Sequence, residues 1–228
     1  MGQAISSISE NHGCSVSVPV DLGDDPAAGI EQCDVVIDFS LREATLPLAR
    51  LSADHSKPMV IGTTGHTPEE KAQILEFSSK VPIVWAGNFS TGVNLLFYLT
   101  EQAARVLDAR SDFDAEVIEM HHRLKKDSPS GTADRLLEIL KTSRGLKDDE
   151  VAHGRHGIVG ERAARDIGSH ALRGGDVVGD HTVIFAGMGE RIELTHRATD
   201  RSIFAAGALR AAKWVVEADP GLYSMQDV

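Results

Sequence analysis

Between Asp34 and Ala86 three short apolar runs alternate with two helical stretches, and this alternation limits the fold more than anything else in the chain. Asp34-Val35-Val36-Ile37-Asp38-Phe39 is nearly continuous in apolar residues, as a strand covered on both faces is. A helical stretch from Arg42 to His55 follows, then a strand at Met59-Val60-Ile61 and a turn at Gly62-Thr63-Thr64-Gly65. A helix from Pro68 to Lys80 leads to a strand from Val81 to Ala86, which runs into Gly87-Asn88-Phe89-Ser90. Strand–helix alternation with short connections is the sequence form of a parallel, doubly wound sheet. Upstream, Gln3 to His12 reads as a short helix with Ile5 and Ile8 on one face, ended by Gly13. Cys14, Val16, Val18 and Val20 alternate with small or polar residues, which predicts a further strand with Asp21 at its end.

In such sheets ligands bind beyond the carboxyl ends of the strands. Asp21, Gly62-Thr63-Thr64 and Ala86-Gly87-Asn88-Phe89 all fall there. An acid about 20 residues after a glycine turn accepts the ribose hydroxyls of a dinucleotide, and Asp21 follows Gly2 at about that spacing. Each feature alone has an ordinary reading as a turn or a helix cap. Together they point to a dinucleotide cleft.

The second half reads differently. Thr91 to Leu107 is a long amphipathic helix, and Phe113 to Met120 a strand alternating apolar and acidic residues. Ala133–Leu140 is helical, and Lys141 to Gly160 is a polar, glycine-punctuated loop. Ile167–Leu172, Val177–Phe185 and Arg191–Ala198 are strands without intervening helices, with Arg173-Gly174-Gly175-Asp176 as a turn. That succession predicts a mixed or antiparallel sheet and hence a second, α+β domain. Ile203 to Ala218 is a final helix, with Phe204, Ala208, Ala211 and Val215 on one face. His153 and His156 have no third metal ligand of the usual kind nearby, so no metal site is expected.

At 228 residues, with 34 acidic against 23 basic side chains and a net charge of −11, the chain is not expected to bind nucleic acid or an anionic membrane surface. No apolar run approaches the ~20 residues of a membrane span. Cys14 and Cys33 show no metal spacing, which makes a reducing cytoplasm the default compartment.

Against that acidic background, Glu119-Met120-His121-His122-Arg123-Leu124-Lys125-Lys126-Asp127-Ser128-Pro129-Ser130-Gly131-Thr132-Ala133 stands out. Two histidines, an arginine and two lysines lie within six residues, between a strand and a turn that opens a helix. Unpaired N–H groups at a helix start, with cations beside them, describe a site for a small anion carrying more than one carboxylate. A solvated basic loop is the competing reading, and residue chemistry alone leaves both open.

This segment resembles the signature of the 4-hydroxy-tetrahydrodipicolinate reductase (dihydrodipicolinate reductase) family, E-x-H-H-x-x-K-x-D-(A/S)-P-S-G-T-A, at every fixed position. The resemblance runs from Met1 to Val228. It implies a Rossmann-like dinucleotide-binding domain, residues 1–90 and 201–228, and a substrate-binding and oligomerisation domain, 91–200, joined by the long helix and forming a homotetramer. It further implies NAD(P)H-dependent reduction of a cyclic dicarboxylate in the diaminopimelate route to lysine. Lys125 and His121 match the catalytic positions, and His122, Gly131 and Thr132 the substrate contacts. Gly62, Thr63, Thr64, Ala86, Gly87, Asn88 and Phe89 match the stretches that touch the nicotinamide half. Arg123 and Lys126 occupy variable positions, as surface charge that steers the anion. Asp21 is followed by Leu22, and no Arg or Lys occurs before Arg42, which favours NAD over NADP.

The family's glycine fingerprint, G-x-x-G-x-M-G, is represented only by its last two residues, Met1 and Gly2. The expectation is therefore an N-terminally shortened version whose sheet lacks its first strand. This also explains Met1-Gly2-Gln3-Ala4-Ile5-Ser6 better than the acylation pattern it happens to match. Two readings compete with the reductase. One is a non-catalytic fragment that keeps the dicarboxylate site and oligomer surface but binds cofactor poorly. The other is a reductase of this fold acting on an acyclic amino or keto acid, which the intact His121-His122…Lys125…Gly131-Thr132 set argues against.

Overall fold

The apolar runs pair as their alternation demands. In the computed structural model, which describes residues 1–107 and 112–228, β1 (Val36–Asp38), β2 (Met59–Ile61) and β3 (Pro82–Trp85) are parallel, with Val36 opposite Met59 and Met59 opposite Ile83. The chain forms two compact units, Met1–Thr91 with Ser202–Val228, and Gly92–Arg201. In the first, helices α1 (Gly2–Ile8), α2 (Arg42–Asp54) and α3 (Pro68–Glu76) accompany the sheet. Helix α3 starts where Thr67 and Glu70 close a capping box, each side chain taking the other's backbone N–H. A fourth parallel strand, Gly221–Tyr223, lies beside β3. At three residues it is too short to carry a periodic signal.

The strand expected over Cys14 to Val20 does not form. Alternation gives a segment one apolar face, but a strand also needs a neighbour for its N–H and C=O groups. The sheet ends at β1, and residues 14–20 run as coil, with Val16 40% and Val20 47% exposed. Between this coil and β1 lies a cavity of about 1860 Å³, lined among others by Ile5, Val18, Ile37 and Leu48. Asp21 accordingly stands at the end of a coil, not of a strand.

The C-terminal helix of this unit, Ser202–Val215, presents Ala205, Gly207, Ala208, Ala211 and Ala212 as its buried face. Small residues let its backbone approach the loop after β3: a Cβ added at Gly207 would lie 1.7 Å from the Phe89 carbonyl oxygen. The ring of Phe89, 1% exposed, packs edge-on against Phe39 with centroids 5.4 Å apart.

The second unit holds α4 (Thr91–Val106), β4 (Asp114–His121), α5 (Gly131–Arg144), β5 (Val151–His153), β6 (Ile167–Arg173), β7 (Gly179–Gly187) and β8 (Glu190–Ala198). The sheet order is β5-β6-β4-β7-β8; β5, β6 and β4 run parallel, and β7 and β8 antiparallel, a mixed sheet as helix-free succession predicts. Strand β5 falls inside the stretch read as a polar loop, and α5 extends four residues into that stretch. One face of the sheet buries Ala115, Val117, Ile167, Val183 and Phe185 against Leu136 and Leu140 of α5 and Leu96 and Phe97 of α4.

On the opposite face Glu116 gathers Arg155, Arg162 and His170 at 2.8–3.1 Å. Burial would raise this carboxyl, but hydrogen bonds from Arg155, His170 and Arg162 win and hold it at about 2. Gly168 stands opposite Glu116 on β6, and any side chain there would collide with that carboxylate.

Gly207→Ala should be among the more damaging single substitutions in the first unit, because the obstructing atom belongs to the backbone. Overpacking typically costs about 1–3 kcal/mol, and equilibrium denaturation should show at least that loss. A midpoint within error of wild type would mean that the helix can shift without cost.

Candidate active site

Strand β4 alternates half-buried and buried residues from Asp114 to His121, so Ala115, Val117, Glu119 and His121 share its buried face. A carboxylate and an imidazole thus follow two apolar residues toward the strand's carboxyl end. They satisfy one another: His121 Nδ1 is 2.6 Å from Glu119 Oε2. Arg173, at the end of β6 opposite His121, donates from both terminal nitrogens to the two Glu119 oxygens at 2.9 Å each. It also donates to the Asp127 carbonyl oxygen at 2.7 Å.

The chain then turns into α5. Ser130 is the N-cap; its hydroxyl accepts from Ala133 N–H at 3.2 Å, and its own N–H donates to Glu119 Oε1 at 3.2 Å. Gly131 and Thr132 form the first turn, at the positive end of the helix dipole. Ser130 Oγ also lies 3.0 Å from Nε2 of His181, which stands opposite Glu119 on β7.

Between β4 and α5 the loop is tied to residues 173–177 by backbone bonds. His122 N–H donates to the Val177 carbonyl, Arg123 N–H to Gly175, and Gly174 N–H to His121. Lys125 is largely buried, its Nζ 2.8 Å from Asp127 Oδ2. His122 is half-buried, whereas Arg123 and Lys126 are exposed. The structure therefore brings His121, His122, Lys125, Gly131 and Thr132 to one strand–loop–helix junction. It adds Glu119, Arg173, Ser130 and His181, which the sequence reading did not assign to the site. The signal for Glu119 was available, since period two places it on the apolar face with Ala115 and Val117.

Burial lowers the His121 pKa first of all; Glu119 works against this, and Lys125 and Arg173 add to it. Lys125 presses on His121 from the loop and Arg173 from the end of β6. Burial likewise lowers His181, to about 4, helped by the neighbouring His121. The two imidazole rings meet edge to face with centroids 5.1 Å apart. Burial would raise Glu119, but hydrogen bonds from Arg173 and His121 outweigh it and the carboxyl lies low.

In the first unit, Gly62 and Ala86 follow adjacent parallel strands: Gly62 N–H donates to Asp38 O at 2.8 Å and Ala86 N–H to Ile61 O at 3.1 Å. Three of the expected cofactor residues have structural tasks of their own here. Gly62 must lack a Cβ because the Phe39 ring would be 2.1 Å from it, the Thr63 hydroxyl donates to buried Asp38 at 3.0 Å, and Phe89 is core. Thr64 and Gly87 are exposed at the strand ends, beside half-buried Ala86 and Asn88. Open turns at two adjacent carboxyl ends suit one end of a nucleotide, held through backbone and short side chains. Met1 and Gly2 are exposed at the head of the seven-residue α1, and Asp21 is exposed, its carboxylate accepting Leu22 N–H at 2.8 Å.

Fold and site together define a Rossmann-like α/β unit combined with a mixed-sheet unit that carries a cationic site at a helix head. The family model "Dihydrodipicolinate reductase, N-terminus" matches residues 2–89, and "Dihydrodipicolinate reductase, C-terminus" matches residues 92–228. A 4-hydroxy-tetrahydrodipicolinate reductase of Akkermansia muciniphila is 50% identical over 230 aligned residues, covering 100% of this chain and 93% of the relative. One of Myxococcus xanthus is 54% identical over 197, covering 86% of this chain and 72% of the relative. Among solved structures, the dipicolinate-bound dihydrodipicolinate reductase from Paenisporosarcina sp. TG-14 has the same fold, with a TM-score of 0.74 at 24% identity over 92% of this chain and 82% of that one. The chain belongs to the dihydrodipicolinate reductase family, a family of NAD(P)H-dependent oxidoreductases.

His181 should make the second unit sensitive to mild acid. An unfolded imidazole takes up a proton near 6.5, whereas the folded one waits until about 4. Its contribution is therefore complete above 6.5 and is lost as pH falls toward 4, a swing on the order of 3 kcal/mol. His181→Asn should flatten the pH dependence of unfolding across that window. An unchanged slope would show that His181 titrates like a surface histidine.

Proposed function

We propose that this chain reduces 4-hydroxy-tetrahydrodipicolinate, the hydrated form of dihydrodipicolinate, to tetrahydrodipicolinate with NADH or NADPH, in the diaminopimelate route to lysine. The observation that carries this reading is the junction of β4 and α5. His121, His122 and Lys125 lie next to the first turn of a fourteen-residue helix in a chain that otherwise has a strong acidic excess. A cyclic dicarboxylate is the anion that so many convergent donors suit.

The roles follow from the atoms. The substrate's 4-hydroxyl leaves as water, and the nicotinamide cofactor would supply the hydride to the dehydrated ring. His122 and the N–H groups of Gly131 and Thr132 hold the substrate carboxylates. Lys125 stabilises the enamine-type anion that develops on the substrate, and Lys125 or His121 returns a proton to it. Asp127 keeps the Lys125 ammonium in place until a substrate carboxylate competes for it. The exposed Arg123 and Lys126 steer the anion inward. On the nucleotide side, Thr64, Ala86, Gly87 and Asn88 would line the nicotinamide end, with Gly62, Thr63 and Phe89 shaping the turns beneath. Met1 and Gly2 would meet the pyrophosphate and Asp21 the ribose hydroxyls. The absence of Arg and Lys between Asp21 and Arg42 supports NAD over NADP. Residues 1–90 with 201–228 are thus the dinucleotide-binding domain, and 91–200 the substrate domain.

The edge strand β8 supports a homotetramer built on the second unit: residues 190–193 are all exposed, the apolar Ile192 among them. A cytoplasmic location is supported by two free cysteines, Cys14 and Cys33. No helix among the described residues is long and apolar enough to cross a membrane.

Enzymatically generated 4-hydroxy-tetrahydrodipicolinate should drive oxidation of NADH by the purified chain, with pyridine-2,6-dicarboxylate inhibiting competitively. Tight binding of that dicarboxylate without turnover would instead favour the non-catalytic fragment. Lys125→Ala should lower kcat roughly 100-fold or more, and near-normal turnover would remove Lys125 from the chemistry. Burial, Lys125 and Arg173 disfavour charge on the empty site's His121, and a bound dicarboxylate favours it. Pyridine-2,6-dicarboxylate binding should therefore take up protons near neutral pH. Calorimetry in two buffers of different ionisation enthalpy checks this, and equal apparent heats would refute it.

A further inference from the structure

Glu119 is nearly inaccessible, 1% exposed, yet all four of its hydrogen bonds come from elements that build the site. Oε2 accepts from His121 Nδ1 at 2.6 Å and from Arg173 at 2.9 Å; Oε1 accepts from Ser130 N–H at 3.2 Å and from Arg173 at 2.9 Å. An isolated buried carboxylate would be costly, and a single guanidinium would balance its charge. The His121 and Ser130 contacts go beyond charge balance, because they fix two groups of opposite duty. One belongs to the imidazole that handles the proton, the other to the cap of the helix whose first turn faces the carboxylates.

We infer that Glu119 is a positioning residue, which holds His121 as the Nδ1–H tautomer with Nε2 presented for proton transfer and sets that imidazole in register with the α5 N-terminus. An ionised carboxylate only accepts, so the shared proton must sit on Nδ1. Gly179 of β7 lies beside the other nitrogen: a Cβ added there would come within 3.0 Å of His121 Nε2, so glycine keeps that approach clear of a side chain. The groups that bear on His121 are Glu119 from its own strand, Lys125 with its partner Asp127 from the loop, Arg173 from β6 and His181 from β7, with His196 beyond it on β8. Lys125, Arg173 and burial oppose a proton on His121, and the strongest influence favouring it is Glu119. Removing its charge while keeping its shape should therefore make His121 harder to protonate, and let its ring turn.

The inference rests on the reading of His121 as the site's acid. Its test is Glu119→Gln, made alone and together with His121→Ala, with kcat and KM followed across pH. The single substitution should lower kcat/KM roughly ten- to hundredfold and move the His121 limb of the profile to lower pH, while Glu119→Asp recovers part of the loss. In the His121→Ala background the same substitution should change kcat less than about twofold, since there is no imidazole left to place. An equal loss in both backgrounds, or an unmoved limb, would mean that Glu119 acts only through the fold and would overturn the proposal. If the variant does not fold, ¹⁵N shifts of His121 in the wild-type chain still decide. Nδ1 protonated and Nε2 bare near pH 7.5 supports the dyad, and the reverse tautomer ends it. That measurement needs no turnover, so it separates failure of this inference from failure of the reductase reading.

Discussion

The second unit depends on one buried anion. Glu119 draws Arg173 from the end of β6, His121 from its own strand and the Ser130 amide from the cap of α5, and so fixes where strand, loop and helix meet. None of those donors is close to Arg173 in sequence, so the junction exists only when the sheet has paired. Arg173 also holds the Asp127 carbonyl, which ties the loop carrying Lys125 to the same point. A buried charge satisfied on every side enforces one arrangement, since any slip leaves it without a donor. This is a reason for a site to be built around a carboxylate that does not itself touch the ligand.

Much of this was legible in the sequence because it is local. Apolar runs, the turn that opens α5, and the basic stretch after Phe113–Met120 each depend on neighbours within a few residues. What was missed is non-local. Alternation at Cys14, Val16, Val18 and Val20 suggests a strand, but pairing decides, and the sheet stops at β1. The strands at Val151–His153 and Gly221–Tyr223 are three residues each and are held by a neighbouring edge, not by a pattern. Arg173 reads as the start of a glycine turn, and only the fold shows its guanidinium reaching back 54 positions.

The nucleotide unit shows how a motif mixes two kinds of constraint. Gly62-Thr63-Thr64 and Ala86-Gly87-Asn88-Phe89 read as a single class of ligand-touching residues, yet the structure divides them. Gly62 yields to the Phe39 ring, Thr63 anchors Asp38, and Phe89 fills the core under Gly207. Asp38 in turn accepts from Ser40, Thr45 and Thr63, so its buried charge organises the loops that emerge from β1 and β2. Substitutions at these positions would disturb the turn before they disturb any contact with a ligand.

The pairing of His121 with His181 makes a last point about charge. Two imidazoles with ring centroids 5.1 Å apart, in a buried setting, cannot both be protonated without a large cost. Their surroundings differ in the one way that matters: His121 faces the Glu119 carboxylate directly, whereas His181 meets only the Ser130 hydroxyl. A proton entering the pair therefore settles on His121, and His181, held neutral down to about 4, keeps it there by declining to share it. The second histidine thus acts as an apolar wall with a polar edge, which caps α5 through Ser130 and confines the charge to the ring beside Lys125.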